Sequence, residues 1–276
     1  MTEIREITTN LECGQNGIWF AKAQSRISYP ENGNEWCLQV EEDSFWFEHR
    51  KDCVIETIRI FPPDGAFLDI GGGNGYMSLA IKDIGIATIL VEPGIEGATN
   101  ARKRGLPQVI CATLEDAGFK TNSIGAIGLF DILEHIEDDE GFLKMINGLM
   151  AANGRVYITV PAYKMLYSIN DKHGGHYRRY SLTLLTKKLK STGFEIDFKT
   201  YIFSLLPLPI FLFRTIPSIF GLKKREFKKI QKEHRHPTRG FDRLLTKVLD
   251  REIRALKNKR TIPFGASCLI VARSSK

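Results

Sequence analysis

The chain has 276 residues, of which 43% are hydrophobic and 26% charged, enough for one large core or a core with an insertion. A net charge of +7 is mild for this length and does not by itself point to nucleic acid. The five cysteines are scattered with no C-x-x-C pair, and the N-terminus lacks the apolar stretch of a secretory signal. This excludes a spaced metal set and predicts reduced thiols in a cytoplasmic protein.

Residues 1–43 show no period and carry turn formers at Pro30, Asn32 and Gly33, so an irregular N-terminal arm is expected. Phe45, Trp46, Val54, Ile55, Ile58 and Ile60 then mark a helix capped by Asp43 or Ser44 and stopped at Pro62-Pro63. Strands are expected at 66–70, 87–91, 108–112, 126–131 and 155–160, with helices at 75–84, 95–104 and 139–150 between them. A polar and aromatic loop follows over 161–180. Ser181 caps a helix ending at Gly193, and strands follow near 194–201 and 266–274. Alternating strands and helices predict a doubly wound α/β architecture with a mainly parallel sheet of seven strands. About 60 residues separate the last two strands, too many for a simple connection, so a helical insertion is expected there. The resulting division is an arm at 1–43, a core at 44–201, an insertion or lid at 202–262 and a last core strand at 263–276.

The stretch FLDIGGGNGYMSL, Phe67 to Leu79, carries the most information. An apolar run ends in Asp69, a glycine cluster follows, and a helical segment comes next, the opening unit of a nucleotide-binding fold. Gly71, Gly73 and Gly75 are spaced G-x-G-x-G, and Tyr76 stands where a dinucleotide loop needs its third glycine. The loop suits a nucleoside ligand without a pyrophosphate and disfavours NAD. After a second apolar run, Glu92 stands where a carboxylate accepts from ribose hydroxyls.

With DIGGGNG at 69–75, VEPG at 91–94, FDILEH at 130–135 and NGRVYITVPAY at 153–163, the chain resembles the class I S-adenosylmethionine-dependent methyltransferases over about residues 45–200. The resemblance implies a Rossmann-like core with an antiparallel last strand and S-adenosylmethionine as cofactor. It places Asp69 near the ammonium end of the methionine moiety, Gly71, Gly73 and Gly75 in the loop, and Glu92 on the ribose. Asp131 falls near the methionine half. Family members often carry an acid after the third strand that meets adenine. Here that position aligns with Thr113, followed by Leu114, a departure that leaves the adenine-contacting side chain open, with Glu115 or Asp116 as the acid if the register shifts. The G-H-Y-R-R-Y run at 175–180 matches a bacterial subgroup of the family.

His135 and His176 are the candidate general bases. For His135 a structural role at a helix start is equally open. Tyr163, Tyr177 and Arg179 are candidate substrate-binding residues, Arg179 as a two-pronged anion fork, whereas Tyr180 is read as a brace. A Glu-x-x-Glu-His run binds a divalent metal in some quinone-pathway relatives. Asp131 replaces the first Glu here, and no metal is expected.

Tyr201 to Gly221 is apolar but broken by Pro207, Pro209 and Pro217, with Arg214 near its middle, which argues against a spanning helix. A basic run over 223–239 follows. Two readings stand: a lid over the site, or an element lying on an anionic membrane surface. The expected reaction is methyl transfer, at oxygen, to a small-molecule, glycan- or lipid-linked acceptor. A nucleic-acid methyltransferase is disfavoured because Asp-Ile-Leu-Glu replaces the Asn/Asp-Pro-Pro-aromatic motif. A non-catalytic cofactor-binding module is the remaining alternative.

Overall fold

The computed structural model describes residues 4–22, 37–38, 40–221 and 239–276. The expected turn at Pro30 to Asn34 and the basic residues Lys223 to Arg235 lie outside these.

Nine strands form one sheet in the order β1-β2-β5-β4-β3-β6-β7-β9-β8. The central strands are β3 (Phe67–Ile70), β4 (Thr88–Val91), β5 (Val109–Cys111), β6 (Ile124–Phe130) and β7 (Met150–Pro161). They run parallel, while β9 (Ser267–Ser274) is antiparallel to both β7 and β8 (Phe194–Ile202). The last strand thus inserts between β7 and β8, as the resemblance implies.

The expected count of seven strands is too low because the arm is not irregular throughout. It forms α1 (Ile4–Ile7) and a short hairpin, β1 (Leu11–Cys13) with β2 (Ile18–Ala21). The hairpin turns at Gly14 and Gly17, with the Gly14 N–H donating to the Ile18 carbonyl at 2.8 Å. β2 then adds parallel to β5 and extends the sheet at that edge.

Alternation along each strand sends side chains to two covered faces. Leu68 and Ile70 pack with α6 (Asp139–Leu149) and α8 (Leu182–Ser191), through Leu143, Ile146, Leu185 and Leu189. Phe67 packs on the opposite face with α2 (Phe45–Ile60), α3 (Tyr76–Asp83) and the late helix α11 (Arg239–Lys257), through Ile58, Ile81 and Leu245. Asp69 shares that second face, where it meets Ser78 of α3. Of the expected caps, Ser181 forms, accepting from the Leu184 N–H at 3.1 Å, whereas Ser44 stands at the N-cap of α2 with no side-chain capping bond; Asp138 caps α6, accepting from the Gly141 N–H at 2.9 Å. The remaining helices are α4 (Ile95–Lys103), α5 (Leu114–Ala117), α7 (Ile169–His173), α9 (Pro207–Ile210) and α10 (Ile216–Ile219), the last two joined by a π-turn, Phe211–Thr215.

α11 is fastened to α2 by a buried cluster. The Glu252 carboxylate pairs with His49 Nε2 at 2.9 Å and accepts from the backbone N–H groups of Phe203 and Ser204 at 2.8 and 2.7 Å. The Ser204 hydroxyl donates to it at 2.6 Å. One carboxylate therefore joins α2, α11 and the start of the insertion.

Candidate active site

The strand order reverses at β3, with β4 on one side and β6 on the other. At such a switch point the carboxyl ends of the strands leave a crevice. A cavity of about 540 Å³ opens there, lined from both halves of the sheet, from α2 and from the insertion. The β3, β4 and β5 side of the sheet contributes Asp69, Gly71, Gly73, Glu92, Thr113 and Leu114, and the chain after β6 contributes Asp131, Glu134, His135, His176, Arg179 and Arg214.

The loop between β3 and α3 is held in shape by glycine. Gly71 has φ +64°, and a Cβ there would sit 2.5 Å from the Ile132 side chain. Gly75 has φ +79° and caps α3; a Cβ there would strike Leu106 and Ala101. Its demand is therefore helix packing. Across the crevice, the Glu92 carboxylate accepts from the Gly73 N–H at 2.9 Å and the Gly94 N–H at 2.8 Å, tying both cofactor-side loops together.

Asp69 is fully buried. Its Oδ2 accepts from Ser78 Oγ at 2.6 Å, while Oδ1 has no hydrogen-bond partner among the described residues. Burial pushes its carboxyl up to about 7, against the opposing pull of Ser78 and Arg50. Asp131 follows β6 in the left-handed region, φ +57°, a costly conformation for a non-glycine residue. It is held there by an ion pair with Arg50 and by Thr159 Oγ1, which donates to Oδ1 at 3.1 Å.

The rings of His135 and His176 meet edge to face with centroids 4.7 Å apart. Burial, and then the neighbouring His176, push His135 down to about 4, so it is neutral at physiological pH. His176 Nδ1 lies 3.1 Å from Asp171 Oδ1, and Arg179 Nε donates to the same oxygen at 2.7 Å. Burial pushes Asp171 up, but the His176 hydrogen bond and the Arg179 charge outweigh it and hold the carboxylate well below its usual range. An ionised Asp171 fixes the proton of His176 on Nδ1 and leaves Nε2 as the acceptor. Glu134 is raised well above the carboxylate range by burial and then by Asp131. It brings a carboxyl oxygen within 4.8 Å of ring nitrogens of His135 and His176, while Asp131 is engaged by Arg50.

A family model described as a methyltransferase domain matches residues 46–197, more than half of the chain. The chain belongs to this methyltransferase family. Solved structures agree in fold. A SAM-dependent methyltransferase from Thermotoga maritima is 16% identical, with a TM-score of 0.55 over 89% of this chain and 95% of that one. Phosphoethanolamine N-methyltransferase 2 of Haemonchus contortus, solved with S-adenosyl-L-methionine, is 16% identical, with a TM-score of 0.56 over 91% of this chain and 59% of that one. A SAM-dependent methyltransferase from Archaeoglobus fulgidus is also 16% identical, with a TM-score of 0.53 over 82% of this chain and 94% of that one. No curated protein sequence matches.

In this methyltransferase, three of the residues singled out from sequence stand away from the cavity. Gly75 caps α3 and packs against Ala101 of α4 and Leu106. Tyr163 stacks on Tyr201 with centroids 5.1 Å apart. Tyr177 donates its backbone N–H to the Glu134 carbonyl and turns its ring outward, under the Arg178 guanidinium. Tyr180 is a brace: its hydroxyl donates to buried Asp139 at 2.8 Å. Sequence reading passed over Trp46, Phe47 and Arg50 of α2, all of which line the cavity. The spacing of Trp46 and Arg50, four apart on one helix face, was the available signal.

The donor set fits S-adenosylmethionine. The orphaned Asp69 oxygen suits an ammonium group, and Glu92 offers a buried carboxylate beside the loop. Glu92→Ala is expected to weaken binding of S-adenosylhomocysteine by about 1–3 kcal/mol, the scale of losing a buried acceptor. Calorimetry reads this directly, and unaltered affinity would remove Glu92 from the ribose site.

Asp69 gives a pH prediction. Its carboxyl is raised from 3.8 in the unfolded chain to about 7 in the fold. The stability linked to it is complete below the lower value and lost as pH rises through the upper one. A cation bound at Oδ1 favours the ionised form and reverses that loss. Thermal stabilisation by saturating S-adenosylhomocysteine is therefore expected to grow from about pH 5 to about pH 8. Asp69→Asn is expected to flatten the trend, and an equally steep trend in that variant would disprove the assignment.

Proposed function

We propose that the chain transfers the methyl group of S-adenosylmethionine to a hydroxyl oxygen of a small-molecule, glycan- or lipid-linked acceptor. The observation that supports this reading is the single cavity lined by Asp69 and Glu92 and also by His135 and His176. When bound, the cofactor supplies an activated methyl on sulfur, displaced in line by the acceptor oxygen. The chain's own residues orient the partners and handle the proton. Asp69, Glu92 and the glycine loop hold the nucleoside and methionine ends. His176 Nε2, with Nδ1 fixed by Asp171, takes the hydroxyl proton as the new C–O bond forms. Arg214 lines the same cavity, as does Arg179 with its Nε engaged by Asp171, and together they suit an acceptor that carries negative charge. Trp46, Phe47 and Ile210 exclude water from the same space.

An acceptor screen with S-adenosylhomocysteine formation as readout tests the reading. Hydroxylated acceptors bearing a phosphate or carboxylate should turn over, and their neutral counterparts should turn over more slowly. Turnover confined to amine acceptors would replace oxygen with nitrogen as the accepting atom.

A further inference from the structure

The insertion has two faces with opposite character. Its inner face is anchored: Ile210 is buried, Ile210 and Arg214 line the cavity, and Thr215 Oγ1 donates to the Leu166 carbonyl at 3.3 Å. Ser218 Oγ accepts from the Ile169 N–H at 2.9 Å. Its outer face carries Leu208, Leu212, Phe213, Ile219 and Phe220, of which Leu208, Phe213, Ile219 and Phe220 are 64–71% exposed. Met165, on the turn that Thr215 bonds to, is 64% exposed beside them. Folded proteins rarely expose so many large apolar side chains on one short element.

We propose that this outer face docks on an anionic lipid surface, with α9 to α10 lying in the plane of the interface. Three observations favour a bilayer over a protein partner. The helical run from Pro207 to Ile219 is short and proline-broken, and among the described residues no helix is long and apolar enough to cross a membrane. An element of this kind lies on a membrane without spanning it. The two elements it is bonded to present exposed Lys164 and Lys172. The sequence that follows directly, 223–239, holds eight Lys and Arg residues against two Glu, the charge that an anionic headgroup layer attracts. Because the inner face of the same run roofs the cavity, docking would set the cavity beside the headgroup layer. The inference goes beyond the proposed reaction and stands or falls without it.

Flotation of the full chain with vesicles tests it. Phosphatidylcholine vesicles containing phosphatidylglycerol should carry the protein, and pure phosphatidylcholine vesicles should carry far less. Binding should fall as salt is raised. The double variant F213E/F220E should bind anionic vesicles about tenfold or more weakly, and the milder F213A/F220A should follow in the same direction. Calorimetric affinity for S-adenosylhomocysteine, unchanged in both variants, confirms that they are folded and keeps this test apart from that of the reaction. Failure of the intact chain to float at low salt overturns the proposal, as does full binding by the double variants. A dimer in sedimentation that F213E/F220E dissociates also overturns it, assigning the face to a second copy.

Discussion

His176→Ala is expected to lower turnover by about 100-fold or more while leaving cofactor affinity unchanged, the usual size of a lost general base. The prediction rests on the division of labour between the two imidazoles. A base should have a proton affinity near the working pH. His135 is pushed down to about 4 by burial and by His176, so it holds a proton too weakly for that role. His176 has the Asp171 carboxylate on its other nitrogen, 3.1 Å away, which fixes the tautomer and the ring orientation and leaves Nε2 as the acceptor. Asp171→Asn should therefore reproduce much of the loss, because the amide no longer fixes the tautomer. His135→Ala should cost less than His176→Ala. Initial rates at saturating cofactor, separated into kcat and KM, distinguish a lost proton acceptor from lost acceptor binding. Normal turnover in both histidine variants would mean that proximity alone drives the reaction or that the acceptor arrives deprotonated.

Glu252→Ala is expected to destabilise the fold by about 3–5 kcal/mol, the range found when one partner of a buried ion pair is removed. Glu252 and His49 are each only 4% exposed. The substitution would strand the imidazole and leave the Phe203 and Ser204 amide groups without their acceptor. Glu252→Gln keeps the shape and one acceptor oxygen, so it should cost less. In the fold the carboxyl is held below its ordinary value: burial raises it, but the His49 hydrogen bond and charge prevail. The stabilisation it provides is present above the unfolded value of 4.5 and disappears as pH falls through the folded one. Denaturant titration at neutral and acid pH reads both effects. A Glu252→Ala variant within about 1 kcal/mol of the parent at neutral pH would show that other contacts hold α11 to α2. The consequence for function is local: α2 carries Trp46 and Arg50, and the insertion carries Ile210 and Arg214, all on the cavity wall. The variant should therefore also bind S-adenosylhomocysteine more weakly.

What the sequence determined by itself was local. The glycine loop, the first core strand carrying Asp69, the cap at Ser181 and the position of Glu92 depend on residues a few places apart, where turn chemistry and side-chain period act directly. The length between the last two strands likewise announced an insertion. Tertiary structure decided what joins residues distant in the chain. The edge hairpin was illegible because strands of three and four residues show no sustained alternation and are fixed by pairing with β5 some 90 positions later. Arg50 meets Asp131 across 81 positions, and His49 meets Glu252 across 203. Neither partner carries a local sign of the other. The same reason separates Arg179 from Tyr177 in one short loop: both types suit an acceptor, but chain direction after Glu134 turns one toward the cavity and the other toward solvent. The two faces of the insertion were one apolar run in sequence, and only its anchorage on Leu166 and Ile169 divided them into a roof and an exposed surface.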